Sequence, residues 1–475
     1  MLFNSLNFIA FFLVVTTSYF LLPHRYRWFL LLMSSCYFYM VFVPVYILIL
    51  GFTIVVDYFA GRLLESSKDK KRKWFLIASL VANIGVLAFF KYYNFLNENL
   101  TLLLKNFNIG NPIPYLTILL PIGLSFHTFQ AMSYTIEVYR GHQKAERHFG
   151  IYALYVMFYP QLVAGPIERP QNMLHQFREE HYFDFDRLTE GLRMMLWGYF
   201  KKVVIADRLA LYVDPVYNNP HAYTGSTFIL ATFFFAFQIY CDFSGYSDIA
   251  IGSAHIMGFK LMQNFKLPYF SNSIGTFWKR WHISLSSWFS DYVYIPLGGN
   301  RVKFLRWVFN VLTVFTISGL WHGANWTYII WGALHGFYYL LERSVKKLLH
   351  FIFGDFELKS VFRVIPVILT FTMVSFAMIF FRSKDLDTAW YIISGIFSNP
   401  VSQIYMGNSQ FVTFLSVLLL LFLFFVEYLQ YKGLVTLYFS ESKVTRPVRW
   451  AAYIFMLFSI SMLGIGGNSF IYFQF

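Results

Sequence analysis

Cysteine is almost missing: Cys36 and Cys241 are the only two in 475 residues. Both sit in apolar surroundings, so neither a disulfide framework nor a zinc ligand pattern is available. Charge is scarce too. Only 13% of the residues are Asp, Glu, Lys or Arg and 57% are apolar, whereas an average soluble domain is about 25% charged and about 45–50% apolar. Such a chain is not built for water. Phe, Tyr and Trp make up 22% of it, which excludes disordered, collagen-like and coiled-coil classes. A Walker loop, a G-x-S-x-G elbow, an H-E-x-x-H helix and a dinucleotide fingerprint are all lacking, so ATP-driven transport and zinc proteolysis lose their usual signatures.

What is present is apolar length. About 20 apolar residues cross a bilayer as a helix. That criterion predicts spans near 7–22, 28–42, 45–64, 74–96, 114–137, 149–166, 225–258, 303–320, 325–341, 361–381, 410–430 and 449–466. The expected fold is an all-α polytopic integral membrane protein of roughly ten to twelve transmembrane helices plus re-entrant or interfacial helices. The first run, Asn7 to Leu22, has no basic region before it and no small-residue cleavage site after it, so it reads as a retained span.

Lys and Arg exceed Asp and Glu by 38 to 24, a net charge of +14. The excess lies in short loops beside apolar runs, where cytoplasmic enrichment of basic residues explains it better than nucleic acid does. The clusters His24–Arg27, Lys68–Lys73 and Arg140–His148 follow the first, third and fifth spans. All three therefore fall on one side, which predicts cytoplasmic basic loops and an outside amino terminus. No linker or composition shift divides the chain, so residues 1–475 read as one transmembrane domain.

Two stretches resist simple crossing. Glu168 to Asp214 is dense in charge and suggests interfacial helices. Residues 260–302 mix Lys, Arg, His, Ser and Trp with Pro268, Pro296 and Gly298-Gly299; irregular backbone at membrane depth survives only where protein or a water-filled cavity receives it. Within the latter, one helix over 276–291 would carry Trp278, Trp281, His282, Leu285 and Phe289 on one face and Arg280, Ser284, Ser287 and Asp291 on the other. An interfacial amphipathic helix explains the pattern, except for a histidine on its apolar stripe.

In Ser318-Gly-Leu-Trp-His-Gly-Ala-Asn-Trp-Thr327 a histidine lies between apolar runs. An intramembrane ionisable group is by default a functional hypothesis; the alternative is a packing histidine held by a carbonyl. Gly319 and Gly323 flank His322 and would leave room for another molecule. His335 falls on roughly the opposite helical face and reads as structural. The run Gln238 to Asp248 concentrates Tyr240, Asp242, Ser244, Tyr246, Ser247 and Asp248, whose carboxylates need donors that the Ser and Tyr hydroxyls can supply. A pore-lining proton relay is its functional alternative. Pro160, Gly165 and Pro166 suggest a broken or re-entrant helix. Asp57 and Lys91, near predicted helix ends, read as snorkelling residues.

Tyr159-Pro-Gln-Leu-Val-Ala-Gly-Pro166, Cys241-Asp-Phe-Ser-Gly-Tyr-Ser-Asp248, Phe277-Trp-Lys-Arg-Trp-His282, Tyr294-Ile-Pro-Leu-Gly-Gly-Asn300 and Gly319-Leu-Trp-His-Gly-Ala324 resemble the membrane-bound O-acyltransferase (MBOAT) family. Within it, the likeness is greatest to the bacterial branch of alginate O-acetyltransferase membrane subunits, and runs from the opening Met-Leu-Phe-Asn-Ser to Phe470-Ile-Tyr-Phe-Gln-Phe475. The resemblance implies a bundle around a central funnel and a tunnel that meets at a histidine, matched by His322. His282 occupies the place of that histidine's polar partner, often Asn or Asp in the wider family.

The implied activity is an O-acyltransferase that moves acetyl groups from a cytoplasmic thioester, acetyl-CoA or an acylated carrier, across the membrane to an exported or cell-surface polysaccharide. No permanently bound cofactor and no metal is expected. His322 would be the general base, because an ordinary imidazole titrates near pH 6.5, and His282 would orient the donor or assist proton transfer. Lys279, Arg280 and Trp278 are donor-binding candidates. Asp242, Ser244, Tyr246, Asp248, Asn325 and Trp321 are tunnel-lining or supporting candidates. The expected partners are membrane lipid, the polysaccharide and an extracytoplasmic SGNH-type acetyltransferase, with the bacterial inner membrane as location. D-alanyl or other acyl transfer to an envelope polymer, a proton-coupled transporter or flippase, and a structural export subunit are the competing readings.

Overall fold

Most of the apolar runs fold as helices, because a single segment in lipid can satisfy its polar groups within itself only as a helix; the run expected at 114–137 is helical from Leu124. A computed structural model of the chain describes residues 1–117, 120–163, 165–354, 364–407, 409–436, 445–466 and 470–473. Ile118, Leu119, Ala164, residues 361–363, Gln474 and Phe475, which belong to expected spans and motifs, lie outside the described residues. No strand occurs among the described residues. Among the described residues six helices are long and apolar enough to cross a membrane: Pro44–Ser66, Asp69–Lys105, Gly225–Ile256, Phe304–His322, Val364–Arg382 and Gln410–Tyr431, with Leu6–Leu21 apolar but shorter. The chain is an all-α, multi-pass membrane protein.

The residues divide into two compact units, Met1–Met195 with Ile249–Met262, and Leu196–Asp248 with Gln263–Phe475. The first carries α1 (Leu6–Leu21), α2 (His24–Met40), α3 (Ile47–Ser66), α4 (Asp69–Leu87), α5 (Tyr93–Lys105), α6 (Leu124–Arg140), α7 (Phe149–Met157), α8 (Tyr159–Leu162) and α9 (Pro170–Met173). In it α3, α4 and α6 pack on one another around Asp57. Its carboxylate accepts from Ser79 Oγ at 2.6 Å and from Asn83 Nδ2 at 2.8 Å. Asp57 is fully buried, which corrects its reading as a snorkelling residue: it is an interhelical clamp. The expected break at Pro160 is present, since α7 stops at Met157, Phe158 is not helical and α8 restarts with Pro160 in its first turn.

Next in the chain is α10 (Phe185–Tyr199). A π-helical stretch, Phe200–Ala206, links it to α11 (Asp207–Asn218). The wider turn of a π-helix keeps both Lys201 and Lys202, consecutive in sequence, inside the second unit, where each is less than 5% exposed. The interfacial assignment of 168–214 is thus wrong at Lys201, Lys202 and Asp207, all buried.

The rest of the second unit comprises α12 (Gly225–Ile256, entering the first unit from Ile249), α13 (Ile274–Trp278), α14 (Ile283–Phe289), α15 (Phe304–His322), α16 (Trp326–Phe353), α17 (Val364–Arg382), α18 (Leu386–Ser398), α19 (Gln410–Tyr431) and α20 (Arg446–Leu463). The pair α15–α16 crosses closely at glycines. A Cβ on Gly319 would lie 2.2 Å from the Tyr328 carbonyl, and one on Gly323 would lie 2.1 Å from the Tyr328 ring. These glycines therefore serve helix packing; the room expected beside His322 is filled by Tyr328.

Candidate functional site

His322 is the last residue of α15 and His282 the residue before α14. The expected continuous helix over 276–291 does not form. It breaks after Trp278, and His282 adopts φ 42°, ψ 56°, the left-handed region, which L-residues other than Gly, Asn and Asp seldom visit. Asn264 pins this turn. Its carbonyl accepts the Ile283 N–H at 2.9 Å and its Oδ1 accepts the Ser284 hydroxyl at 2.6 Å. Ser284, expected on the polar face, is fully buried for that reason.

The break turns the His282 ring toward α15. Its centre lies 6.4 Å from that of His322. Both side chains are buried, at 1% and 3% exposure, within an aromatic shell: Trp321 touches both imidazoles, at 4.9 Å from His322 and 6.1 Å from His282. Trp331 and Phe381 pack on His322 at 5.0 and 5.4 Å, and Phe243 of α12 packs on His282 at 4.6 Å. Tyr472 approaches both histidines, with ring centres 5.6 Å from His322 and 6.3 Å from His282. Tyr472 brings a hydroxyl-bearing ring to both histidines. Sequence reasoning missed it, because one tyrosine among 34 has no local pattern to distinguish it.

The α12 aspartates pair with lysines that the sequence did not suggest as their partners. Asp248 pairs with Lys201 Nζ at 2.7 Å, and the same ammonium donates to Ser244 Oγ at 2.9 Å. Asp242 pairs with Lys202, which also meets Asp207 at 2.8 Å. The second Asp242 oxygen accepts the Ile471 N–H at 2.7 Å. Tyr246 stacks on Phe470 at 4.5 Å. Tyr240 donates to Glu427 at 2.5 Å, so its hydroxyl is not spent on the aspartates. Buried charges that are paired and hydrogen-bonded in this way escape the desolvation that isolated ones would suffer.

Asn325 caps α16 by accepting the Thr327 N–H at 3.0 Å and donates to the Lys384 carbonyl at 2.8 Å, a structural task. His335, buried among Phe277, Trp278, Trp331 and Tyr338, is a core residue as expected. Trp278 and exposed Lys279 line a cavity of about 410 Å³ with Ser286, Ser287, Ser290 and Tyr294. Arg280 instead donates to the Phe270 carbonyl at 3.2 Å. From the cavity wall, Trp278 contacts Trp331 at 5.8 Å, and Trp331 contacts His322. A chain of two indoles thus links the cavity wall to His322.

The protein is a multi-pass helical one with two buried imidazoles brought together inside an aromatic shell. Residues 145–383, which include both histidines, match the model of the membrane-bound O-acyltransferase family. The chain is 38% identical to the probable alginate O-acetylase AlgI of Pseudomonas aeruginosa, over 88% of this chain and 79% of that one. It is 34% identical to the probable alginate O-acetylase AlgI of Pseudomonas putida over the whole length of both. A peptidoglycan O-acetyltransferase of Helicobacter pylori is 35% identical over 77% of this chain and 73% of its own. The chain belongs to the membrane-bound O-acyltransferase family, and it is an O-acyltransferase.

Proposed function

We propose that the protein transfers acetyl groups from a cytoplasmic thioester to the outer side of the bacterial inner membrane, for O-acetylation of an exported or cell-surface polysaccharide. The observation that carries this reading is the approach of His282 and His322 inside one aromatic shell. Thioester acyl transfer asks for little beyond a base, orientation and charge stabilisation. In the proposed step the His322 imidazole takes the proton of an acceptor hydroxyl as its oxygen attacks the thioester carbonyl. The carbon–sulfur bond then breaks, and the proton passes to the leaving thiolate. His282 orients the acyl group, and the Tyr472 hydroxyl is suited to donate to the developing oxyanion.

Acetyl-CoA is the proposed donor, its pantetheine arm entering the cavity lined by Trp278 and Lys279 with the ammonium toward phosphate. The basic loops are cytoplasmic in this reading, and an SGNH-type acetyltransferase outside the membrane completes delivery to the polymer. The names of the alginate and peptidoglycan relatives support a carbohydrate polymer as the final acceptor.

Reconstituted protein supplied with radiolabelled acetyl-CoA, polysaccharide and the extracytoplasmic transferase tests the reading. Release of CoA coupled to label in the polymer is expected. Folded protein that releases no CoA under these conditions excludes acetyl-CoA as donor, and an acylated carrier protein is then the substitute.

A further inference from the structure

The segment Phe470–Phe473 places Tyr472 against both histidines, yet it is only a single 3₁₀ turn, too short to hold itself in place. We infer that Asp242, fixed by Lys202, is a positioning residue that anchors this segment in the site. The inference rests on the acyl-transfer reading for its effect on rate and on geometry alone for the anchoring.

Three neighbouring residues of α12 grip the segment. Asp242 accepts the Ile471 N–H at 2.7 Å. Tyr246, one turn further along the same helical face, stacks on Phe470 at 4.5 Å with planes 28° apart. Phe243 touches Phe470 at 5.5 Å and Tyr472 at 4.7 Å, and its opposite contact is His282. Phe470 and Ile471 are buried, at 0% and 5% exposure.

The Ile471 N–H is a buried backbone donor that a turn of three residues cannot satisfy internally, so it needs an acceptor from elsewhere. A carboxylate is the stronger choice, since a charge-assisted bond is roughly twice as strong as a neutral one. Lys202 makes that carboxylate available. Its ammonium lies between Asp242 and Asp207 and 5.7 Å over the Tyr246 ring, so the cation holds two of the three members of α12 that grip the segment. The π-helical stretch that brings Lys201 and Lys202 inward thereby bears on the placement of Tyr472.

The test uses the full-length protein in membranes, with Cys36→Ala, Cys241→Ala and Ile471→Cys providing one reporter thiol. N-ethylmaleimide should label it slowly in this parent. Asp242→Ala should speed labelling at least about tenfold and lower acyl-transfer turnover by up to about 10²-fold, the scale of a misplaced reacting group. Asp242→Asn, which keeps a carbonyl acceptor for the Ile471 N–H, should restore slow labelling and most of the turnover. Phe470→Ala releases the segment from its other end without touching the ion pair, so it should mimic Asp242→Ala, and it stands in should that variant fail to fold. Labelling that stays slow in both Asp242→Ala and Phe470→Ala overturns the anchoring. Fast labelling with unchanged turnover overturns the positioning role. A parent that labels slowly but transfers no acyl group counts against the proposed activity instead, because the labelling arm needs no turnover.

Discussion

The ring of His282 faces that of His322 across 6.4 Å with planes inclined at 54°, and the pair forms only because the backbone at His282 is left-handed. In a continuous helix the same residue would lie on the stripe of Trp278 and Trp281. A strained main-chain conformation at a non-glycine residue, stabilised by Asn264, is a recurrent mark of functional sites.

If the two imidazoles serve one step, His322→Ala should lower turnover about 10²–10⁴-fold, the contribution of a general base. Adding His282→Ala should then change little more, since groups that act as a unit are strongly non-additive. CoA release from the single and double variants measures this; independent, multiplying losses would separate the two residues into different steps.

The left-handed turn makes a second forecast. His282→Gly and His282→Ala both remove the imidazole, but only Gly relieves a conformation that costs an L-residue roughly 1–2 kcal/mol. Thermal unfolding in detergent should place the Gly variant above the Ala variant, with both inactive. Equal midpoints would mean that the turn relaxes when the side chain is lost.

Tyr472→Phe keeps the ring packed on both histidines and deletes one hydroxyl. Turnover should fall about 10²-fold, the lower end of what one oxyanion donor contributes, with the melting temperature unchanged. Wild-type turnover would reduce Tyr472 to a packing residue.

Gly319→Ala drives a methyl group into the Tyr328 carbonyl and should destabilise by about 1–3 kcal/mol, the scale of overpacking. Gly85→Ala, inside α4, meets nothing within 4 Å and should leave the stability unchanged or raise it by up to about 1 kcal/mol, the helix preference of Ala over Gly. Comparing the two midpoints separates glycines that permit close helix approach from those that do not.

The basic loops make a topological forecast. Single cysteines from Lys70→Cys and Lys144→Cys, both at exposed positions, should resist impermeant thiol reagents in intact cells and react after lysis. Labelling from outside would reverse the orientation, and with it the side from which the donor enters.

Apolar run length alone determined the helical elements, because lipid leaves a spanning backbone no other way to satisfy its polar groups; α12, α15, α17 and α19 begin and end within a few residues of the expected spans. His322 and His282 were legible as anomalies, polar rings in apolar settings where an unpartnered imidazole is costly. Their meeting was not. It depends on a helix break at Trp278 and a left-handed residue held by Asn264, both departures from local periodicity that only long-range contacts stabilise. The lysine partners of Asp242 and Asp248 were also hidden, since a π-helical stretch turns Lys201 and Lys202 inward where charge density suggested an interface. Tyr472 was the least visible. Its place beside the histidines is set by an aspartate 230 positions earlier in the chain, and a separation of that kind leaves no periodic trace in sequence; only the folded chain brings the two ends of the contact together.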